Sequence, residues 1–174
     1  MRNLLASAAL LLVYLTADAQ AKVPRAEEVL KSAYAQAAKQ NKKVLLMFHA
    51  PWCGWCHKMD SSLADKSVKP LIDKNFVITH LTVYENGDKA VLDNPGALAF
   101  LTKNGGAETG IPYWYVLDKD GKVLEDSRDE AKNNVGCPAS EKEVAYFINV
   151  LKQTTRLNED ELGIIAKRFR LNER

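Results

Sequence analysis

The apolar run Val44-Leu45-Leu46-Met47-Phe48, followed within a few residues by Cys53-Gly54-Trp55-Cys56, constrains this chain more than any other feature. Five consecutive apolar residues behind Lys43 have the length and character of a buried strand. Residues Cys53 to Leu63 can then be helical. Two cysteines separated by two residues, just after a strand and at the start of a helix, form a dithiol redox arrangement. The thiolate is the reactive form of cysteine. A helix N-terminus offers unpaired N–H groups and the positive end of the helix dipole. Cys53 is therefore expected to have a lowered pKa and to attack. Cys56, one turn further in, is placed to resolve a mixed disulfide.

The rest of the chain supplies strands and helices in alternation. Val23 to Gln40 reads as a helix, with Pro24 in its first turn and Asn41 ending it. Asp65 to Lys74 is expected to be a second helical piece, broken near Pro70. Phe76 to Tyr84 is rich in β-branched and aromatic residues and reads as a strand. Glu85 to Asn94 is polar and reads as loop, and Pro95 to Lys103 as a helix closed by Asn104-Gly105-Gly106. Tyr113 to Leu117 and Lys122 to Glu125 flank Asp118-Lys119-Asp120-Gly121, a strong hairpin signal. Asp126 to Ala139 is irregular. Ser140 with Glu143 forms a capping box before an apolar helical face, and Asn158 caps a last short helix. A mixed sheet covered by helices follows, with an extra C-terminal helix.

Composition fits a single packed domain. The 174 residues include 47% hydrophobic and 26% charged positions, which excludes a wholly disordered chain. A net charge of +2 gives no electrostatic footprint for nucleic acid. Three cysteines are too few to staple a fold or to make a four-cysteine zinc site.

The N-terminus reads as an address. A basic start (Arg2), an apolar stretch from Leu4 to Leu15, and the small-residue exit Ala17-Asp18-Ala19-Gln20-Ala21 make a secretory signal peptide. The stretch is short of the roughly 20 residues that span a bilayer. Cleavage is expected after Ala19 or Ala21, leaving an exported protein with no stable membrane insertion. A bacterial periplasm, where disulfides persist, is the expected compartment. The expected division is a signal peptide over 1–21, a domain over 22–154 and a helical extension over 155–174.

Trp52-Cys53-Gly54-Trp55-Cys56 after an apolar strand resembles the active site of the thioredoxin family. The resemblance continues at Gly110-Ile111-Pro112-Tyr113, where that family places a cis-proline, and at the hairpin turn Asp118 to Lys122. It runs from about Val23 to about Gln153. It implies a thioredoxin-like α/β fold and a thiol-disulfide oxidoreductase that reduces protein disulfides. Its catalytic residues would be Cys53 and Cys56, supported by Trp52, Gly54, Trp55 and Pro112. Pro112 would be cis, exposing the Ile111 backbone to an extended substrate segment, so Ile111 and Pro112 would bind substrate. The only cofactor implied is the redox-active Cys53–Cys56 disulfide itself, with no metal. The implied partners are protein thiols and disulfides, together with a membrane or other thiol redox partner that returns electrons. One departure stands out: the family's buried acid, six residues before the first cysteine, is Met47 here, which leaves open the proton route to Cys56.

Other readings share these residues. Cys53-Gly54-Trp55-Cys56-His57 also satisfies the c-type haem attachment pattern. Cys53, Cys56 and His57 with His49 or His80 can be written as zinc ligands, but a second clustered pair is missing. His57, four residues after Cys53, shares its helical face and either steadies the thiolate or stands exposed. His49 and His80 read as structural. Trp52 and Trp55 either form an apolar rim for partners or pack locally, and Tyr113, Trp114 and Tyr115 read as core. Cys137 is an odd thiol that could exchange, join two molecules, or lie buried and inert. An oxidase or isomerase, or a non-enzymatic binding module or chaperone, remains the alternative to a reductase. The basic Lys167-Arg168-Phe169-Arg170 end reads as a solvated helix face.

Overall fold

The computed structural model describes residues 22–173; the signal-peptide expectation for 1–21 lies outside them. Helix α1 (Ala26–Gln40) leads to β1 (Lys43–His49), α2 (Gly54–Leu63), α3 (Lys69–Asn75) and β2 (Phe76–Thr82). A 3-10 turn over Gly87–Leu92 and α4 (Ala97–Lys103) precede the hairpin strands β3 (Tyr113–Leu117) and β4 (Val123–Asp126). Helices α5 (Glu141–Thr154) and α6 (Glu159–Arg170) follow, with a last 3-10 turn over Leu171–Glu173.

The strands form one mixed sheet in the order β2-β1-β3-β4. β1 runs parallel to β2 and antiparallel to β3, and β3 pairs antiparallel with β4. β1 is a central strand with helices packed over both of its faces, which is why its sequence is apolar without alternation. Alternate residues nevertheless serve different layers, as the two-residue strand period demands. Val44, Leu46 and Phe48 pack with Leu30, Ala33 and Ala37 of α1 and Leu101 of α4. Leu45 and Met47 pack on the other side with Met59, Ile72, Trp114 and Phe147. α6 belongs to this second layer: Phe169 meets Phe147 with ring centroids 5.0 Å apart, and Phe147 meets Trp114 at 5.5 Å. Tyr113, Trp114 and Tyr115 are fully buried. No helix among the described residues is long and apolar enough to cross a membrane.

Several element edges differ from the expectation, each for a local reason. α1 begins at Ala26, not Val23, because Pro24 holds its preceding residue extended. The Pro24 carbonyl instead accepts from Asn94 Nδ2 at 2.9 Å, and the Arg25 N–H donates to Glu28 Oε2 at 2.9 Å. Pro70 does not break a helix: it occupies the first turn of α3, where a missing N–H costs nothing. β2 stops at Thr82, and Tyr84 takes a left-handed φ of 64° that no strand continues through. The segment read as loop over 85–94 includes the 3-10 turn. β4 is shifted one residue, to Val123–Asp126, beside an irregularity in the β3 register. The caps at Ser140 and Asn158 form with their Glu143 and Glu161 partners, and Asn41 ends α1 in the left-handed region.

Candidate active site

The turn from β1 to α2 brings the dithiol to the C-terminal edge of the central strand. Cys53 is the N-cap of α2, and its Sγ accepts the Cys56 N–H at 3.1 Å. The helix therefore directs one of its unpaired donors at the sulfur that must carry negative charge. The two cysteines are joined as a disulfide, with Cα atoms 5.2 Å apart. Cys56 is fully buried and Cys53 is 3% exposed, so what little surface the pair presents belongs to Cys53. The Ile111–Pro112 peptide is cis, and the Ile111 carbonyl oxygen lies 3.6 Å from Cys53 Sγ. Ile111 packs with Ala50, Cys53 and Cys56 in a small apolar cluster of its own. Cys53, Cys56, Ile111 and Pro112 thus meet at one place.

Trp52 and Trp55 flank the dithiol and are 57% and 48% exposed. Trp52 is steadied by a 3.3 Å hydrogen bond from Nε1 to the Tyr84 carbonyl, and Lys58 Nζ sits 4.3 Å from the Trp55 ring centre. Gly54 needs no special conformation, since a Cβ there would meet nothing within 4 Å. His57 is exposed and its Nε2 is 2.8 Å from the Pro51 carbonyl, so the ring turns back over the preceding loop. Met47 lies fully buried among apolar side chains, which leaves no acid at that position.

A groove runs beside the dithiol, lined by Trp55, Ile111, Pro112, Asn134, Cys137 and Glu143. Its far wall is the irregular segment after β4, and there the structure reveals a residue the sequence did not mark. Asn134 Nδ2 lies 3.2, 3.0 and 3.1 Å from the carbonyls of Thr109, Gly110 and Pro112. Its Oδ1 accepts from Ser127 Oγ and the Gly136 N–H at 2.7 and 2.9 Å. One amide thus clamps the loop that carries Pro112. Only its company in sequence, Asn134-Val135-Gly136-Cys137-Pro138, hints at a turn, and nothing there shows what it grips.

Cys137 is a buried free thiol. Burial pushes its pKa up to about 12, with nearby Lys58 opposing. Asn172 Nδ2 approaches Cys137 Sγ at 3.4 Å. The same amide donates to Ser62 Oγ of α2 at 3.0 Å and to the Pro138 carbonyl at 3.2 Å. The Asn172 carbonyl accepts from Lys58 Nζ at 3.1 Å. The last turn of the described chain is therefore tied to the back of α2.

A third grouping was also invisible in the sequence. His49 at the end of β1, Asp60 on α2 and His80 on β2 converge, with His80 Nε2 2.9 Å from Asp60 Oδ1. The two imidazole centres are 4.8 Å apart.

A thioredoxin-like family model matches residues 25–119, a span that includes both cysteines of the pair and Pro112. The sequence matches none of the curated proteins it was compared with. Among solved structures, a disulphide isomerase from Xylella fastidiosa Temecula1 is 28% identical, covering 66% of this chain and 79% of that one, with a TM-score of 0.49. The oxidised DsbD C-terminal domain of Neisseria meningitidis is 25% identical over 76% of this chain and 98% of its own, with a TM-score of 0.45. A thioredoxin from Thermus thermophilus is 19% identical over 75% and 83%, also at 0.45.

Proposed function

Because the chain belongs to the thioredoxin-like family, we propose that it is an exported thiol-disulfide oxidoreductase that reduces protein disulfides. The reaction starts with both thiols reduced. The Cys53 thiolate attacks one sulfur of a substrate disulfide, that S–S bond breaks, and the departing thiolate takes up a proton. Cys56 then loses its proton and attacks Cys53 Sγ. The mixed disulfide breaks, the second substrate sulfur leaves as thiolate, and Cys53–Cys56 is left oxidised. Two electrons have passed to the substrate. A dithiol partner on or near the membrane returns them, and the two sulfurs suffice without an organic cofactor. Ile111 and Pro112 line the place where an extended substrate segment lies against the pair, with Trp52 and Trp55 as its exposed apolar rim.

The observation that carries the direction is how little stabilises the Cys53 thiolate. Among the described residues only the Cys56 N–H donates to Cys53 Sγ, His57 is engaged with Pro51, and Lys58 is held over Trp55. A disulfide becomes a strong oxidant when its reduced form is heavily stabilised. One backbone donor at a helix end is modest stabilisation, which supports a pair that favours the disulfide state and gives electrons away. Export rests on the order of basic, apolar and small residues over 1–21.

Redox titration of the pair against glutathione or dithiothreitol tests the reading. A potential near about −270 mV is expected, the range of a reductant. A value near about −120 mV would make the protein a disulfide donor and reverse the direction. Reduction of a model disulfide that survived loss of both Cys53 and Cys56 would point instead to a binding module whose activity is not its own.

A further inference from the structure

We propose that His49, Asp60 and His80 form a binding site for one divalent transition-metal ion, Zn(II) above others. The three side chains come from β1, α2 and β2, three elements locked together by the sheet and the core beneath it. One ligand atom from each lies within 4.8 Å of the others. Nitrogen and oxygen ligands sit about 2.0–2.2 Å from zinc, so neighbouring ligand atoms in a tetrahedral shell are roughly 3.3–3.6 Å apart. His80 Nε2 and Asp60 Oδ1 are already closer than that, at 2.9 Å. An ion entering between them would spread that pair slightly and draw in the His49 ring.

The donor set decides the kind of ion. Two imidazoles and a carboxylate suit zinc and its transition-metal neighbours, whereas calcium and magnesium take mostly oxygen ligands. The charge balance agrees: imidazoles bind a metal as neutral ligands, and the one carboxylate beside them attracts a dication. His80 is the only ion-pair partner of Asp60 among the described residues, so no lysine or arginine already claims the carboxylate. The His80 and Asp60 side chains are 32% and 38% exposed, which gives an ion a path in and leaves a fourth position open to water. Thr82 Oγ1, 3.4 Å from His49 Nε2, lies outside the three ligands where it can orient that ring. No sulfur takes part. The site is complete while Cys53 and Cys56 are joined, and in this it differs from any zinc site built on the cysteine pair.

The test is titration of metal-free, oxidised protein with Zn(II) by calorimetry, and with Co(II) by visible absorption. One equivalent should bind, and the Co(II) spectrum should lack the charge-transfer band of a thiolate ligand. His80→Gln and Asp60→Asn should each weaken binding at least about tenfold, while His57→Ala and Cys137→Ser stay within about twofold of the parent. Circular dichroism shows whether each variant keeps its fold, and half-exposed Asp60 tolerates its amide even if β2 does not tolerate the loss of His80. Absence of stoichiometric binding to the oxidised protein overturns the proposal. So does binding that is indifferent to Asp60→Asn, or that disappears with Cys137→Ser. Disulfide reduction is a separate readout, so either reading can fail alone.

Discussion

Cys53 and Cys137 come to the same part of the molecule and are opposite in chemistry. Cys53 caps a helix, receives a backbone N–H on its sulfur, and touches the carbonyl beside a cis-proline. Cys137 lines the groove next to that proline yet sits behind it, with an Asn172 amide for company and a pKa pushed up by burial. Both are almost fully buried, so exposure alone does not separate them. The difference is what faces the sulfur. A helix terminus favours charge at Cys53, whereas at Cys137 burial outweighs the opposing Lys58.

Exchanging one sulfur for oxygen tests the contrast most severely. Cys53→Ser should reduce the catalysed reduction of a protein disulfide to the buffer rate, whereas Cys137→Ser should retain nearly all of it. Equal losses would erase the distinction. Cys56→Ser should add a positive signal, accumulating mixed disulfides with substrate on non-reducing gels.

Next in size is the wall between the two cysteines. Asn134→Ala would leave partly buried carbonyls around Pro112 without a donor, at a cost of about 1–3 kcal/mol. Urea unfolding should report that loss, and kcat/KM should fall with it because the Pro112 loop frames the groove beside the dithiol. A stability loss with unchanged kcat/KM would confine Asn134 to scaffolding.

Alkaline titration gives a smaller effect. The Cys137 thiol ionises near an ordinary 9.0 when unfolded but only near about 12 when folded. The folded state therefore holds its proton longer, and stability falls as pH rises from about 9 toward about 12. Cys137→Ser should flatten that part of the stability profile. The same burial predicts that a thiol reagent at neutral pH labels Cys137 only after denaturant is added. The smallest effect is expected at the dithiol itself: Gly54→Ala should change stability by less than about 0.5 kcal/mol, since its methyl would meet open space.

Periodicity and capping reveal most of the fold in the sequence. The continuous apolar run of β1 announces a strand covered on both faces, and Ser140 and Asn158 announce their helices through side chains that bond locally. Cys53 and Cys56 are legible from their spacing, and the Ile111-Pro112 pair from the resemblance to the thioredoxin family. Asn134 and Asp60 were not. Asn134 is defined by carbonyls more than 20 residues away, and Asp60 by two histidines on separate strands. The two prolines depart from expectation in opposite ways: Pro24 lies ahead of α1 instead of in its first turn, and Pro70 opens α3 instead of breaking it.

The bond between Ser62 and Asn172 joins positions 110 residues apart. During synthesis the active-site helix leaves the ribosome long before the turn that braces it from behind. Closing so long a loop is slow, because chain entropy must be given up before any contact compensates. The dithiol therefore exists for a time on a helix whose rear is unbraced. Its finished environment waits on a segment made 110 residues later than the helix that carries it.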